Sequence, residues 1–237
     1  MKIHKDRFDA WAQSVWGPAD YNASKVAKLA GISKSSLFFQ RSKDYVEASV
    51  ILALARALDL NPLDELLKFD EFKIFSPLND PSVEEVLAQL PPESLMEELL
   101  ARLRHEQAEH YPTTMPEPGG LKRWLDTTDL HGHYGPLAEA MGLASIQVLS
   151  KKINENRLNL GQLAAMCEHG RLNARFGLVV TGMMTWTEVG LPWNIREEVL
   201  SSAPGGTVVG ALVASRRWLE RTIQVKELED GVYRSLG

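Results

Sequence analysis

Two short runs in this 237-residue chain carry side chains able to read the edges of base pairs. Ser33 is followed by Lys34, Ser35 and Ser36, and Ser145 by Ile146 and Gln147. A Gln amide forms a bidentate pair with adenine N6 and N7, a Lys ammonium donates to guanine O6 and N7, and an aliphatic tip packs on a thymine methyl. Gln40 extends the first set; Ser150, Lys151 and Asn154 extend the second. Lys43, Lys151, Lys152 and Arg157 are suited to phosphates, which fix register without reading sequence. Phe38 and Phe39 are adjacent, so one is expected in the core and the other partly exposed.

Enzyme chemistry finds little support. His105 and His110 lie five positions apart, so HEQAEH misses the zinc-binding HExxH spacing by one. His131 and His133 are two loop histidines, below the usual ligand count for zinc. No glycine-rich phosphate loop and no GxSxG elbow occurs. The lone Cys167 sits in the apolar run LAAMC, where it reads as a core thiol without a disulfide partner in the chain. The expectation is a non-enzyme with no cofactor and no metal.

The two runs sit in matching surroundings. VAKLAGISKSSL, from Val26, has a counterpart in LAEAMGLASIQV, from Leu137. In each, an Ala precedes a Gly by four positions, an aliphatic residue and a small residue follow, and a Ser stands ready to cap the next helix. Upstream, Phe8 and Trp11 match Leu121 and Trp124, both at the i, i+3 spacing of an opening helix. Downstream, Leu60-Asn61 and Leu172-Asn173 each precede an apolar run. Four matches in the same order mark an internal repeat.

Both halves resemble the Cro/lambda-repressor-like helix-turn-helix domain of the xenobiotic-response-element family. The second half carries the resemblance in LAEAMG, LASIQVLSKKINENR, LGQLAAM and RLNARFGLVVTGMMT, the first in the stretch from Val26 to Leu67. The middle of the chain and its C-terminal tail lie outside the resemblance. It implies compact helical bundles whose third helix lies in the major groove. The sequence departs from the family where the third helix ends: no Gly follows at Ser42 or Lys43, and the second half ends in Asn154-Glu155-Asn156, where an Asn is a candidate for the left-handed residue.

Composition agrees with a globular chain: 44% of residues are hydrophobic and 24% charged. The net charge of −5 is unevenly spread. Residues 1–47 hold eight Lys and Arg against five Asp and Glu, and residues 119–182 hold seven against five. Residues 48–118 hold five against fourteen. The two motif-bearing segments are therefore the basic ones, and phosphate attraction depends on the local face because exposed charges are screened within about 8–10 Å. No apolar run of membrane-spanning length and no signal-peptide pattern occurs, which predicts a cytoplasmic protein with no membrane partner.

The helices expected to position these side chains span residues 3–16, 23–30, 34–41 and 45–58, with Asn61-Pro62 opening another and 93–108 a later one. Residues 208–223 favour a helix, although Thr207-Val208-Val209 and the run 222–225 also suit a short β element near the C-terminus. The Pro- and Gly-rich stretch 111–120 reads as a linker.

The expected architecture is mainly α. A helix-turn-helix domain over 1–75 and a second over 119–190 are joined by an acidic helical connector and linker over 76–118, and 191–237 is a C-terminal segment. The expected partner is double-stranded DNA, bound by a monomer, with a homodimer through the C-terminal segment as the other arrangement. The resemblance implies a transcriptional regulator, a repressor of phage or mobile-element type. Unlike recognition residues in the two halves imply an asymmetric bipartite site, with half-sites about 34 Å apart if they lie one turn apart. The competing expectation is an antitoxin-like or adaptor protein with one DNA-reading domain and one protein-binding domain.

Overall fold

Helix ends set the frame of this chain, because each needs either a side chain for its free N–H groups or a residue tolerant of positive φ. The computed structural model describes residues 1–17, 22–77, 79–106, 108, 119–128, 130, 133–216 and 220. It is mainly helical, with a single two-stranded sheet among the described residues.

Strand β1 (Lys2–His4) leads into α1 (Lys5–Trp16), which is followed by α2 (Ala23–Leu29) and α3 (Lys34–Ser42). Strand β2 (Tyr45–Glu47) then pairs antiparallel with β1, setting Ile3 opposite Val46, and both side chains are buried. Helices α4 (Ala48–Ala57) and α5 (Pro62–Leu67) complete the first bundle, and a 3-10 segment, Asp70–Phe75, closes it. The helices expected over 3–16 and 45–58 thus each begin later, and their first residues form sheet instead. Pairing with another strand satisfies backbone groups that a helix start would have left free.

The middle segment forms α6 (Val83–Leu87) and α7 (Pro92–Arg104). The second bundle holds α8 (Gly120–Asp126), α9 (Tyr134–Ala140), α10 (Ile146–Asn154), α11 (Leu160–Gly170) and α12 (Ala174–Val180). Helix α13 (Ile195–Ser202) follows, and residues 205–216 form a further helix, α14. The strand pattern at Thr207-Val208-Val209 is overridden by this helix: Val208 packs into a small core with Leu87, Leu90, Leu95, Leu200 and Ala203. The second strand-like run, 222–225, lies outside the described residues, as do most of the Pro- and Gly-rich stretch (111–118), His110 and His131. Among the described residues no helix is long and apolar enough to cross a membrane.

Left-handed residues recur at matching positions in the two halves. Gly31 (φ 67°) and Gly142 (φ 63°) end α2 and α9. Asp44 (φ 58°) and Asn156 (φ 51°) follow α3 and α10, and Asp59 (φ 56°) and Arg171 (φ 52°) follow α4 and α11. The latter two pairs share one spacing, which exceeds that of the glycines by a single position. The difference is one added residue, Ala144, between the glycine and the capping serine. Asn61 and Asn173 keep the wider spacing and cap α5 and α12 through their side-chain oxygens.

The two halves share one core. It runs from Ile3 and Phe8 through Phe72 and Phe75 to Trp124, Phe176 and Trp186. The acidic middle segment is built into it: Val86 belongs to this core, and Leu87, Leu90 and Leu95 to the smaller one. Arg123 donates from Nε to the Ala88 carbonyl at 2.9 Å, and Arg102 donates to the Leu200 and Ala203 carbonyls, each at 2.7 Å, closing the end of α13.

The two halves meet at positions that match under the spacing of the repeat. Arg56 on α4 donates to the Met183 carbonyl (2.6 Å) and to Glu188 (2.6 and 2.9 Å). Glu168 on α11, the counterpart of Arg56, lines a cleft with Glu71, Ile74 and Pro77, and Glu71 is the counterpart of Met183. Glu47 and Ala48 share another cleft with Asn159 and Leu160, their own counterparts.

Candidate nucleic-acid interface

Helices α2 and α3 meet through a tight turn. Ile32 N–H donates to the Ala27 carbonyl at 3.0 Å and Gly31 N–H to Lys28 at 3.2 Å, the paired bonds of a Schellman ending. Helices α9 and α10 repeat the pattern, with Leu143 N–H on the Ala138 carbonyl (2.8 Å) and Gly142 N–H on Glu139 (2.9 Å). A β-carbon added at either glycine would meet nothing within 4 Å, so only positive φ requires glycine there. Ser33 Oγ then accepts from Ser36 N–H at 3.0 Å, and Ser145 Oγ from Val148 N–H at 3.3 Å. Both serines are N-caps, and each starts its helix with the side chains of the next turn free.

One face of each starting helix is anchored. Leu37 and its counterpart Leu149 are fully buried, each burial contributing roughly 1.5–3 kcal/mol. Their neighbours point outward. Lys34, Ser35, Ser36 and Lys43 are exposed on the first unit, as are Gln147, Lys151, Asn154 and Arg157 on the second. Ser145, Ser150 and Lys152 are half-buried, and Ile146 is 47% exposed, which takes it out of the core.

Gln40 corrects the sequence reading. It is buried, and its Oε1 accepts the Glu47 N–H at 2.9 Å, joining the end of α3 to β2. Its amide serves the fold and leaves no free edge for a base. The aromatic pair differs from expectation too. Phe38 and Phe39 are both exposed, at 72% and 58%, because Leu37 and Gln40 occupy the two inward positions of that turn. Adjacency to an inward Leu at helical spacing was the signal that could have revealed two outward rings.

The charge on the two units differs. Residues 22–43 contain Lys25, Lys28, Lys34, Arg41 and Lys43 and no acidic residue. Arg41 is bound by Asp9 from α1, at 2.5 and 2.8 Å. The four lysines are exposed and make no ion pair among the described residues. On the second unit Glu155 lies 3.9 Å from Lys151 and 3.2 Å from Arg157, and Lys152 donates to the Arg157 carbonyl at 3.3 Å. Glu139 adds a further exposed carboxylate.

Behind the surfaces, each unit leans on a buried tryptophan. Trp11 Nε1 donates to Glu65 at 2.7 Å and Trp124 Nε1 to Glu85 at 2.7 Å. Cys167 is buried on α11, and burial pushes its thiol well above the ordinary cysteine range, so it is inert packing rather than a nucleophile. Among the described residues, no group of three His, Cys, Asp or Glu side chains is placed to hold a metal ion. Compared with known proteins, the chain matches no family model, no curated protein and no solved structure.

Proposed function

We propose that this chain is a sequence-specific double-stranded DNA-binding protein that contacts its site through two non-identical helix-turn-helix units, α2–α3 and α9–α10. The observation that carries the reading is the first unit. A Schellman turn and a serine cap present an exposed helix start, set among four exposed lysines in a segment without acids. Phosphates attract such a face, and the outward Lys34, Ser35 and Ser36 meet base edges when the helix enters the major groove. The second unit repeats the geometry with Ile146 and Gln147 in the reading positions. Regulation of transcription, and a repressor role of phage type, follow from the family resemblance alone and form the outer part of the proposal.

The test is a gel-shift titration against a pool of random duplexes at several salt concentrations. The four-lysine variant Lys25→Ala, Lys28→Ala, Lys34→Ala, Lys43→Ala should lose affinity for all sequences, and its salt slope should flatten by about one for each phosphate no longer engaged. Equal binding by wild type and variant would remove the basis of the proposal.

A second reading has one observation behind it. Ile146 and Val148 are both exposed on a helix beside which Glu155 lies near Lys151 and Arg157 while Lys152 donates to the Arg157 carbonyl, which suits a protein-binding surface better than the first unit does. Gln147→Ala and Lys151→Ala decide between the two. Reduced selectivity for bases assigns the second unit to DNA, whereas wild-type binding and selectivity assign it to a protein.

A further inference from the structure

We infer that the two units approach one duplex in opposite directions, so that the preferred site is an inverted pair of unlike half-sites bound by a single chain. This rests on the DNA-binding reading above and adds the arrangement of the site, which that reading leaves open.

The inference comes from the way the halves hold each other. Under the shift that carries Leu37 onto Leu149, Arg56 falls on Glu168 and Glu71 on Met183. Arg56 reaches the Met183 carbonyl, and Glu168 faces the cleft that Glu71 lines. The 3-10 segment Asp70–Phe75 packs on α11, while its counterpart around residues 182–187 receives Arg56 from α4. Each half therefore offers the other the same two surfaces. Repeats related by translation, as needed to read direct repeats, make a head-to-tail contact in which one half offers one surface and the other half a different one. At the centre, Glu47 and Ala48 share a cleft with their own counterparts Asn159 and Leu160, a meeting expected beside a two-fold axis. Strand β2 joins α3 to this centre, and Leu158 and Asn159 lead from α10 to it.

Helices related by a two-fold axis meet equivalent edges of one duplex only when the half-sites run in opposite directions. The half-sites are unlike because the outward residues differ: Lys34, Ser35, Ser36, Phe38, Phe39 and Ser42 stand where the second unit has Ile146, Gln147, Val148, Ser150, Lys151 and Asn154.

Unlike half-sites hide their orientation, so the experiment makes them alike. One full-length variant carries Lys34→Ile, Ser35→Gln, Ser36→Val, Phe38→Ser, Phe39→Lys and Ser42→Asn, giving α3 the outward face of α10. A reciprocal variant carries Ile146→Lys, Gln147→Ser, Val148→Ser, Ser150→Phe, Lys151→Phe and Asn154→Ser. Both leave Leu37, Gln40, Leu149 and Ile153 untouched, and circular dichroism checks their folding. Each folded variant and the wild type are selected against random duplex at about 150 mM salt, where phosphate-only binding is suppressed. The expected result for each variant is a palindrome bound by one chain, with affinity at least about ten-fold above the same half-sites in tandem. A tandem repeat, a single half-site, or a palindrome occupied by two chains would overturn the inference while DNA binding stood. Failure of wild type and folded variants to enrich any sequence would overturn both the inference and the reading beneath it.

Discussion

Positions 65 and 177 are counterparts in the repeat, and they show how two copies of one scaffold diverge. In the first half the position is Glu65, a buried carboxylate that accepts from Trp11 and binds Lys68 at 2.6 Å. In the second half it is Gly177. A β-carbon there would stand 2.9 Å from Leu163 and 3.1 Å from Trp124, so the glycine opens the space that the Trp124 ring fills. Trp124 packs edge-on against Phe176 at 5.8 Å and turns its N–H to Glu85 in the middle segment. The first unit completes its tryptophan within its own bundle, and the second borrows from the acidic segment. The surfaces diverge further: four exposed lysines surround α3, whereas the cations beside α10 are engaged by Glu155 or by the Arg157 carbonyl. Left-handed residues and caps match because the backbone dictates them, while outward side chains answer to whatever each unit contacts.

The largest expected effect tests the borrowed tryptophan. Trp124→Ala should cost about 3–5 kcal/mol in chemical denaturation and loosen the middle segment as well, since Glu85 loses its indole donor. The matching Trp11→Ala should leave the second half and the middle segment protected in hydrogen exchange; equal loss of protection in both variants would show that the halves do not differ in this way.

The surface comparison comes next. Replacing Lys25, Lys28, Lys34 and Lys43 by alanine should flatten the salt dependence of DNA affinity by about three to four. Replacing Lys151, Lys152 and Arg157 should flatten it by less than the corresponding two to three, because Glu155 competes with phosphate for Lys151 and Arg157 and the Arg157 carbonyl holds Lys152. Equal slopes per residue would erase the distinction.

A smaller effect tests the sameness of the turns. Gly31→Ala and Gly142→Ala should each cost about 1–2 kcal/mol in thermal or urea unfolding, the penalty of a β-carbon in the left-handed region. Both sites are open, so no clash adds to it, and a clear inequality would show that the added Ala144 relaxes the second turn.

The smallest concerns the bridge between the halves. Hydrogen bonding to Glu188 raises the Arg56 guanidinium further, and for Glu188 the burial that opposes ionisation is outweighed by the bonds from Arg56 and Thr185, which hold its carboxyl below the ordinary glutamate range. A carboxyl depressed in the folded state binds more protons when unfolded, so its contribution is complete above about pH 4.3 and fades below it. Glu188→Gln should cost about 1 kcal/mol or less near neutrality, given the exposure of Arg56, and should flatten the acid limb of stability; an unchanged acid limb would remove the bridge from the account.

Much of this architecture was legible in the chain itself. The glycines at 31 and 142, the serine caps and the Asn61 and Asn173 caps each have a local cause that sequence displays, and their spacing exposed the repeat. Three-residue strands carry too little pattern to reveal β1 and β2, and Gln40 reads as a polar helix residue until β2 brings the Glu47 N–H beside it. The one-position slip at Ala144 is legible in the chain too, since the capping serines and asparagines are one position further apart than the glycines, and the left-handed Asp44 and Asn156 share that wider spacing. Of the proposed reading residues, the exposed ones follow from helical spacing around Leu37 and Leu149. The outward Phe38 and Phe39 needed knowledge of which turn positions the core had taken.

If the inferred two-fold joins both reading units inside one chain, it alters how occupancy would follow dose. A binder that must first find a second copy fills its site with roughly the square of its concentration and falls away steeply on dilution. Here the second half is held beside the first by the shared core and the Arg56–Glu188 bridge, so the pairing step is intramolecular and its effective concentration fixed by the fold. Under the DNA-binding reading, occupancy rises with the first power of concentration, and a few copies per cell remain as competent, molecule for molecule, as many.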